Sequence, residues 1–340
     1  MAKKILVTGG AGYIGAHTVI ELVNSGFEPV IVDNFSRSDR TLLEGIEKLL
    51  KRSITFEEAD CGDKTAITRI FEERGPFSAV MHFAAYKSVG ESVAKPFDYY
   101  KNNVGSLLTL LEVMQDQKVY DLIFSSSCTV YGQPDFIPVD ENAAFKRAES
   151  PYGATKQVCE RILEDAVVVG FRIVSLRYFN PIGAHPSALL GELPIGTPSN
   201  LVPYITQAAA GIREKLTVFG NDYDTPDGSC LRDFIHVVDL AEAHVVALKY
   251  MAAAPKTPLL EVFNLGTGIG VSVLQLIDKF MKVTGVSLRY EIGPRRPGDV
   301  EKVYADPKKV NEKLKWKARF TVEESLLHAW QWEKKIRNLK

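Results

Sequence analysis

Near the N-terminus an apolar run, Ile5-Leu6-Val7, leads straight into Gly9, Gly12 and Gly15. Apolar residues then recur at helical spacing over 16–25. The order is strand, tight turn, helix, with glycines where backbone must approach another group closely. A helix N-terminus carries unpaired N–H groups and partial positive charge, so a pyrophosphate suits it. A second β-rich run, Pro29-Val30-Ile31-Val32, ends in Asp33. A carboxylate about 20 residues beyond such a turn is placed to accept hydrogen bonds from an adenosine ribose. Three glycines alone would be weak evidence; with strand, helix, strand and acid in order they predict a dinucleotide site. Asp33 would repel a 2′-phosphate, which favours NAD over NADP, although Arg37 and Arg40 stand close by.

The alternation continues through the first half. Helices are expected over 41–51, 64–74 and 97–115, and strands over 54–59, 79–83, 122–124 and 173–176. Small and charged residues over 84–96 predict a loop. Such alternation calls for a parallel, doubly wound sheet with helices on both faces, and ligands there sit beyond the carboxyl ends of the strands. Past Pro181 the alternation fades, and 186–203 is rich in Gly, Pro, Ser and Asn. The division expected is a dinucleotide-binding part over 1–180 and a smaller substrate-binding part over 181–340, with segments near 233–248 and 259–264 returning to the sheet. Residues 321–335 read as an amphipathic helix that packs through Trp330 and Trp332.

The 340 residues are 46% hydrophobic and 24% charged, with a formal net charge of −1. A chain of this kind can bury a large core, and its charge balance argues against nucleic acid or a membrane surface as partner. No apolar run reaches the ~20 residues of a membrane-spanning helix. Met1-Ala2-Lys3-Lys4 runs directly into the first strand, so no signal peptide is expected and a cytoplasmic enzyme is the expected class. Cys61, Cys128, Cys159 and Cys230 lie far apart, and His17, His82, His185, His236, His244 and His328 form no ligand pair one helical turn apart. No metal is expected.

Two later stretches carry chemistry. In Ser150-Pro151-Tyr152-Gly153-Ala154-Thr155-Lys156, Ser150 can cap a helix that Pro151 begins. Tyr152 and Lys156 then share one helix face. An ordinary tyrosine, with a pKa of about 10, is a poor base at neutral pH. A lysine held nearby and a cationic nicotinamide would favour the phenolate. The second stretch, Phe124-Ser125-Ser126-Ser127-Cys128-Thr129-Val130-Tyr131-Gly132, puts three hydroxyls just past a strand end. A serine there can bond a substrate hydroxyl and share its proton with the tyrosine, while Ser125 and Ser126 could equally cap the strand end.

On these residues the chain resembles the extended short-chain dehydrogenase/reductase family, in its branch that epimerises UDP-hexoses at C4. The likeness continues through His82-Phe83-Ala84-Ala85-Tyr86-Lys87-Ser88-Val89-Gly90-Glu91-Ser92 and Arg177-Tyr178-Phe179-Asn180-Pro181-Ile182-Gly183-Ala184-His185-Pro186. It runs on through Asn221-Asp222-Tyr223, Arg232-Asp233-Phe234-Ile235-His236 and Arg295-Arg296-Pro297-Gly298-Asp299, covering nearly the whole chain. It implies an α/β fold, a Rossmann-type doubly wound parallel sheet with a smaller C-terminal α/β substrate-binding domain. By the same resemblance Tyr152 is the base, Lys156 its tuner and ribose anchor, and Ser127 the partner of the sugar 4′-hydroxyl. The NAD site would comprise the glycine turn, Tyr13, Ile14, Asp33, Asn34, Asp60, Cys61, Phe83, Ala84, Lys87, Asn102 and Phe179. Asn180, Asn200, Leu201, Phe219, Arg232, Arg296 and Asp299 would hold UDP, with Lys87 also near the substrate.

The reaction implied passes through a transient 4-keto sugar, with NAD held throughout, in a homodimer joined by a four-helix contact of the segments 97–115 and 151–169. Ser106-Leu107 stand where the family usually has Gly-Thr, and Cys61 stands where an aliphatic residue is common. Val303 takes the place of a bulky tyrosine that restricts the sugar pocket in some relatives, which raises N-acetylated UDP-hexoses as substrates. A 4,6-dehydratase would need a carboxylate pair after the strand-end serine, where Cys128-Thr129 stand, and a non-catalytic NAD-sensing scaffold would not need Tyr152 and Lys156.

Overall fold

In chain order the alternating segments form β1 (Lys4–Thr8), α1 (Tyr13–Asn24), β2 (Glu28–Asp33), α2 (Arg40–Leu50), β3 (Thr55–Glu58), α3 (Lys64–Arg74) and β4 (Ala79–His82). Next come α4 (Val89–Ala94), α5 (Pro96–Tyr99), a π-turn (Tyr100–Val104), α6 (Gly105–Asp116), β5 (Asp121–Ser127), α7 (Pro151–Val168) and β6 (Arg172–Tyr178). The remainder supplies β7 (Asn180–Ile182), α8 (Leu201–Ala209), β8 (Leu216–Phe219), β9 (Leu231–His236), α9 (Val237–Ala253) and β10 (Leu259–Leu265). It ends with β11 (Gly270–Ser272), α10 (Val273–Thr284), β12 (Tyr290–Gly293), β13 (Lys302–Val303), α11 (Lys308–Leu314) and α12 (Val322–Ile336). This computed structural model describes residues 2–296 and 298–339, so Pro297 of the Arg295–Asp299 motif lies outside the described residues.

Seven strands make one parallel sheet in the order β10-β6-β5-β4-β1-β2-β3. The strand order reverses between β1 and β4, which opens the crevice where such sheets bind ligands. Side chains alternate along each strand, and both faces are apolar. Ile5, Val7, Ile31 and Met81 join a core with α1, α2 and α9, whereas Leu6, Val30, Val80 and Leu122 join another with α3, α6 and α7. Each such fully buried side chain contributes about 2 kcal/mol, which fixes the register of every strand.

Beyond β6 the chain leaves this sheet. β7, β9, β11 and β13 form a second, four-stranded sheet, and β8 pairs with β12. Of the segments expected to return, β10 lies in parallel beside β6, and α9 packs on α1. Asp233 to His236 do not return to the large sheet: β9 runs beside β7, with Asn180 opposite Phe234. The 84–96 loop also differs from expectation. It contains α4, whose first turn is capped by the Ser88 hydroxyl and carries Glu91 at its positive end. The helix expected over 97–115 runs from Pro96 to Asp116 but widens into the π-turn at its middle. The C-terminal helix α12 begins with a reciprocal capping box between Thr321 and Glu324, and both Trp330 and Trp332 are buried.

Candidate active site

The turn after β1 is close-packed on backbone. Gly9 has φ +69°, and a Cβ there would stand 2.6 Å from the Ala84 nitrogen. A Cβ on Gly15 would stand 2.3 Å from the Gly9 carbonyl oxygen. Helix α1 opens at Gly12 with no side-chain cap, leaving its first N–H groups for a ligand. Asp33 closes the turn from β2: its carboxylate accepts from the Ala11 N–H at 3.1 Å, the Phe35 N–H at 3.0 Å and the Ser38 hydroxyl at 2.8 Å. Burial raises its pKa against those hydrogen bonds.

The two arginines that clouded the choice of cofactor are engaged elsewhere. Arg37 pairs with Glu91 at 2.8 Å and lies 4.4 Å from the Tyr86 ring, while Arg40 pairs with Glu58 and lies 4.4 Å from the Phe35 ring. Asp33 therefore keeps its bias against a 2′-phosphate. A donor-rich turn, a buried acid at the end of β2 and, among the described residues, no free cation beside it fit NAD.

One cleft of about 600 Å³ runs from this turn to the end of β5. It is lined by Gly9, Gly12, Tyr13, Ile14, Gly15, Asp33, Asn34, Asp60, Cys61, Phe83, Ala84, Lys87, Asn102 and Phe179, and also by Ser127, Tyr152, Lys156, Asn180 and Asn200. All the residues expected around the dinucleotide and the three expected to do chemistry thus meet in one space. Asn34 donates to Asp60 at 2.8 Å, and burial pushes the Cys61 thiol up to about 12, so it stays a neutral thiol.

The residues expected to do chemistry stand where α7 meets the end of β5. Ser150 caps α7 by accepting from the Gly153 N–H at 3.2 Å, and Pro151 occupies the first turn. Lys156 is buried, donates to the Ser125 carbonyl at 2.7 Å and lies 4.9 Å from the Phe124 ring. Burial lowers its pKa. Burial likewise pushes the Tyr152 phenol up to about 12, and the nearby Ser127 side chain opposes that rise. Desolvation is thus the larger influence on the phenol, with the Ser127 side chain pulling the other way; the expected phenolate rests on the lysine together with a cationic nicotinamide. Of the three serines it is Ser127 that caps the following turn, accepting from the Thr129 N–H at 3.2 Å. The Ser126 hydroxyl is turned inward to Glu160.

The residues expected to hold UDP fall into two groups. Asn180 and Asn200 line the cleft, and the Asn180 side-chain oxygen is buried without a partner. Phe219, Arg232, Arg296 and Asp299 gather outside its lining. Arg296 donates to both Asp299 oxygens, at 3.0 and 2.7 Å, and lies 5.6 Å from the exposed Phe219 ring. Arg232 stands 3.8 Å from Asp299. Leu201 is half-buried at the start of α8. Val303 is buried in a cluster with Val130, Tyr131, Val139, Phe179 and Ala305 and does not itself line the cleft.

Two site residues escaped the sequence argument. Glu192, in the cleft wall, takes hydrogen bonds from Lys87 at 2.7 Å and Asn200 at 2.6 Å. Asn103, buried in the π-turn, accepts from the Tyr86 N–H at 2.8 Å and donates to the Thr155 hydroxyl at 3.1 Å, joining the Lys87 loop to α7. A widened turn in an otherwise regular helix often marks a functional position, and here it brings Asn102 into the cleft wall while Asn103 points inward.

Known proteins bear on this geometry. The family model described as GDP-mannose 4,6 dehydratase matches residues 6–328. A UDP-glucose 4-epimerase of Yersinia enterocolitica is 46% identical over 333 residues, 97% of each chain. That of Homo sapiens is 45% identical over 342 residues, covering 98% of this chain and 97% of its own. The crystal structure of UDP-glucose 4-epimerase from Bifidobacterium longum in complex with NAD+ and UDP matches with a TM-score of 0.95 at 44% identity, over 99% of both chains. The chain belongs to the UDP-glucose 4-epimerase family of extended short-chain dehydrogenases/reductases.

Proposed function

We propose that the protein interconverts UDP-galactose and UDP-glucose by reversible epimerisation at C4′, through a transient 4-keto sugar and with NAD held in the cleft. The observation that carries this reading is the single cleft with the glycine turn and Asp33 at one end and Ser127, Tyr152 and Lys156 at the other. Bound NAD supplies the acceptor and donor of the C4′ hydrogen, so no net oxidation results. Tyr152 takes the proton of the 4′-hydroxyl and later returns it. Ser127 holds that hydroxyl and shares the proton. Lys156 supports the phenolate with its charge and reaches the cofactor ribose. Arg232 and Arg296 grip the substrate pyrophosphate, because guanidinium groups suit two oxygens at once. Phe219 packs on the uracil, and Asn180, Asn200 and Leu201 complete the UDP grip. Firm binding of UDP leaves the hexose free to present either face.

A division of labour follows, with 1–180 serving NAD and 181–340 serving UDP-hexose, and β10 completing the first part's sheet. The dehydratase alternative lacks its acid pair, since Cys128 and Thr129 follow Ser127 and the cleft carboxylates are Asp33, Asp60, Glu91 and Glu192. The deciding experiment couples UDP-galactose turnover to UDP-glucose dehydrogenase. The purified protein should drive NADH formation, and Tyr152→Phe should cut the rate by about three orders of magnitude or more. A protein with bound NAD that gives no signal overturns the reading.

Val303 widens the expected substrate range to UDP-GlcNAc and UDP-GalNAc, because valine behind Phe179 leaves more room than tyrosine. Turnover of UDP-GlcNAc should be measurable and should disappear in Val303→Tyr with UDP-galactose turnover retained; no wild-type turnover of UDP-GlcNAc removes the idea. A homodimer is proposed through the 97–115 and 151–169 helices, where Phe97 (84% exposed), Leu108, Val158 and Val168 leave apolar surface for a second copy. Sedimentation at the monomer mass would count against it. Four unpaired cysteines suit a reducing compartment such as the cytoplasm.

A further inference from the structure

Glu160 follows Lys156 by one turn of α7 and is 6% exposed. Donors surround its carboxylate: Ser126 at 2.5 Å, Ser175 at 3.3 Å, Arg177 Nε at 3.0 and 3.2 Å, and Arg177 Nη2 at 2.6 Å. Arg177 in turn donates to the Tyr131 hydroxyl at 2.8 Å and the Glu141 carbonyl at 3.2 Å, with its guanidinium 4.8 Å from the Phe145 ring. An ion pair this deep is often no more stabilising than apolar residues of the same volume, so stability alone is a weak reason for it. Its placement suggests another. Three consecutive residues of β5 each meet α7 differently: the Ser125 carbonyl accepts from Lys156, the Ser126 hydroxyl donates to Glu160, and Ser127 lines the cleft with Tyr152.

We propose that Glu160 is a positioning residue of the reaction, holding α7 in place on β5 through Ser126 and keeping the neighbouring Lys156 cationic beside Tyr152. The proposal rests on the epimerase reading, in which Lys156 must be charged. Several groups face Lys156. From α7 these are Cys159 and Glu160; from β5, the Ser125 carbonyl and the Phe124 ring; and from β4, His82. Tyr152 stands one turn before Lys156 on α7, and Arg177 of β6 lies beyond Glu160. His82 is held neutral, burial lowering it to about 3. Cys159 is pushed up to about 11 by burial and stays a thiol, so Glu160 supplies the negative charge that opposes the desolvation of Lys156.

Removing that charge should make Lys156 more acidic. In Glu160→Gln the basic limb of kcat/KM should move down by about one pH unit, with kcat lower about ten-fold and the KM for UDP-galactose little changed. The titration of Lys156 itself, followed by NMR with isotope-labelled lysine, should shift the same way and does not depend on turnover. Glu160→Gln/Arg177→Met avoids a stranded guanidinium and should show a smaller shift in the same direction if the single variant does not fold, since the guanidinium that partly offsets Glu160 goes with it. Ser126→Ala keeps both charges; it should lose kcat several-fold with its basic limb unmoved. An unmoved Lys156 titration in either folded Glu160 variant, or full kcat in Ser126→Ala, overturns the proposal. If neither Glu160 variant folds, Ser126→Ala decides alone. A wild type that fails to turn over UDP-galactose would remove the epimerase reading, while the NMR shift would still report on Glu160.

Discussion

At the scale of single residues, the glycines separate into those that structure requires and those it tolerates. Gly15 has the Gly9 carbonyl 2.3 Å from where a Cβ would sit, and backbone cannot yield as a flexible side chain can. Gly15→Ala should therefore destabilise by about 2–4 kcal/mol in chemical denaturation and weaken NAD binding with it. Gly90 lies within α4 with nothing inside 4 Å of its Cβ position, so Gly90→Ala should stabilise by up to about 1 kcal/mol. Equal effects from the two would contradict the packing described for the turn. The residues legible from local pattern, apart from the family resemblance, share one property, that their partners are near them in the chain. Asp33 closes a turn 22 residues before it, and Tyr152 and Lys156 are neighbours on one helix. Glu192 meets Lys87 across 105 residues, and no local pattern announces such a contact.

At the scale of elements, α7 has the proposed base, Tyr152, in its first turn, where helices fray. Ser150 holds that turn closed. Ser150→Ala should cost about 1 kcal/mol, seen as a lower unfolding midpoint, and should lower kcat further than KM changes, because the frayed turn carries Tyr152. Strand and helix periods placed the elements of the first half well, since each strand there is buried on both faces or capped by a clear turn. They failed where pairing was decided at long range. The run ending in His236 has the composition of a large-sheet strand, yet the chain has already crossed to β7, and β9 adds to that edge. The π-turn was invisible for a related reason: its stabilising bonds from Asn103 go to Tyr86 and Thr155, on either side of it in sequence.

For the molecule as a whole, buried histidines set the response to acid. Burial lowers His17 to about 4, His82 to about 3, His236 to about 2 and His244 to about 4. An unfolded histidine titrates near 6.5, so as the pH falls below that value protons bind the unfolded chain first. The stability these groups allow is present above the unfolded pKa and is withdrawn as the pH falls toward the folded values. Each should remove up to about 2 kcal/mol between pH 7 and pH 5. Denaturant midpoints should fall steeply over that interval; a flat profile would contradict the burial. His236 is also bonded to His328 at 3.0 Å, so strain on protonation would fall where β9 meets α12.

The last helix braces the cleft wall from behind. Trp332 of α12 donates its indole N–H to the Glu192 carbonyl at 3.0 Å, and a Cβ on Gly191 would strike its ring at 2.4 Å. The wall that presents Glu192 to Lys87 and Asn200 thus leans on a residue that follows it in the chain by 140 positions. A nascent chain can lay down the whole parallel sheet through β10 and still lack a finished substrate wall. A ribosome-bound chain stalled before α12 should accordingly acquire protease resistance in its first half while remaining unable to turn over sugar, so that competence arrives late and in one step.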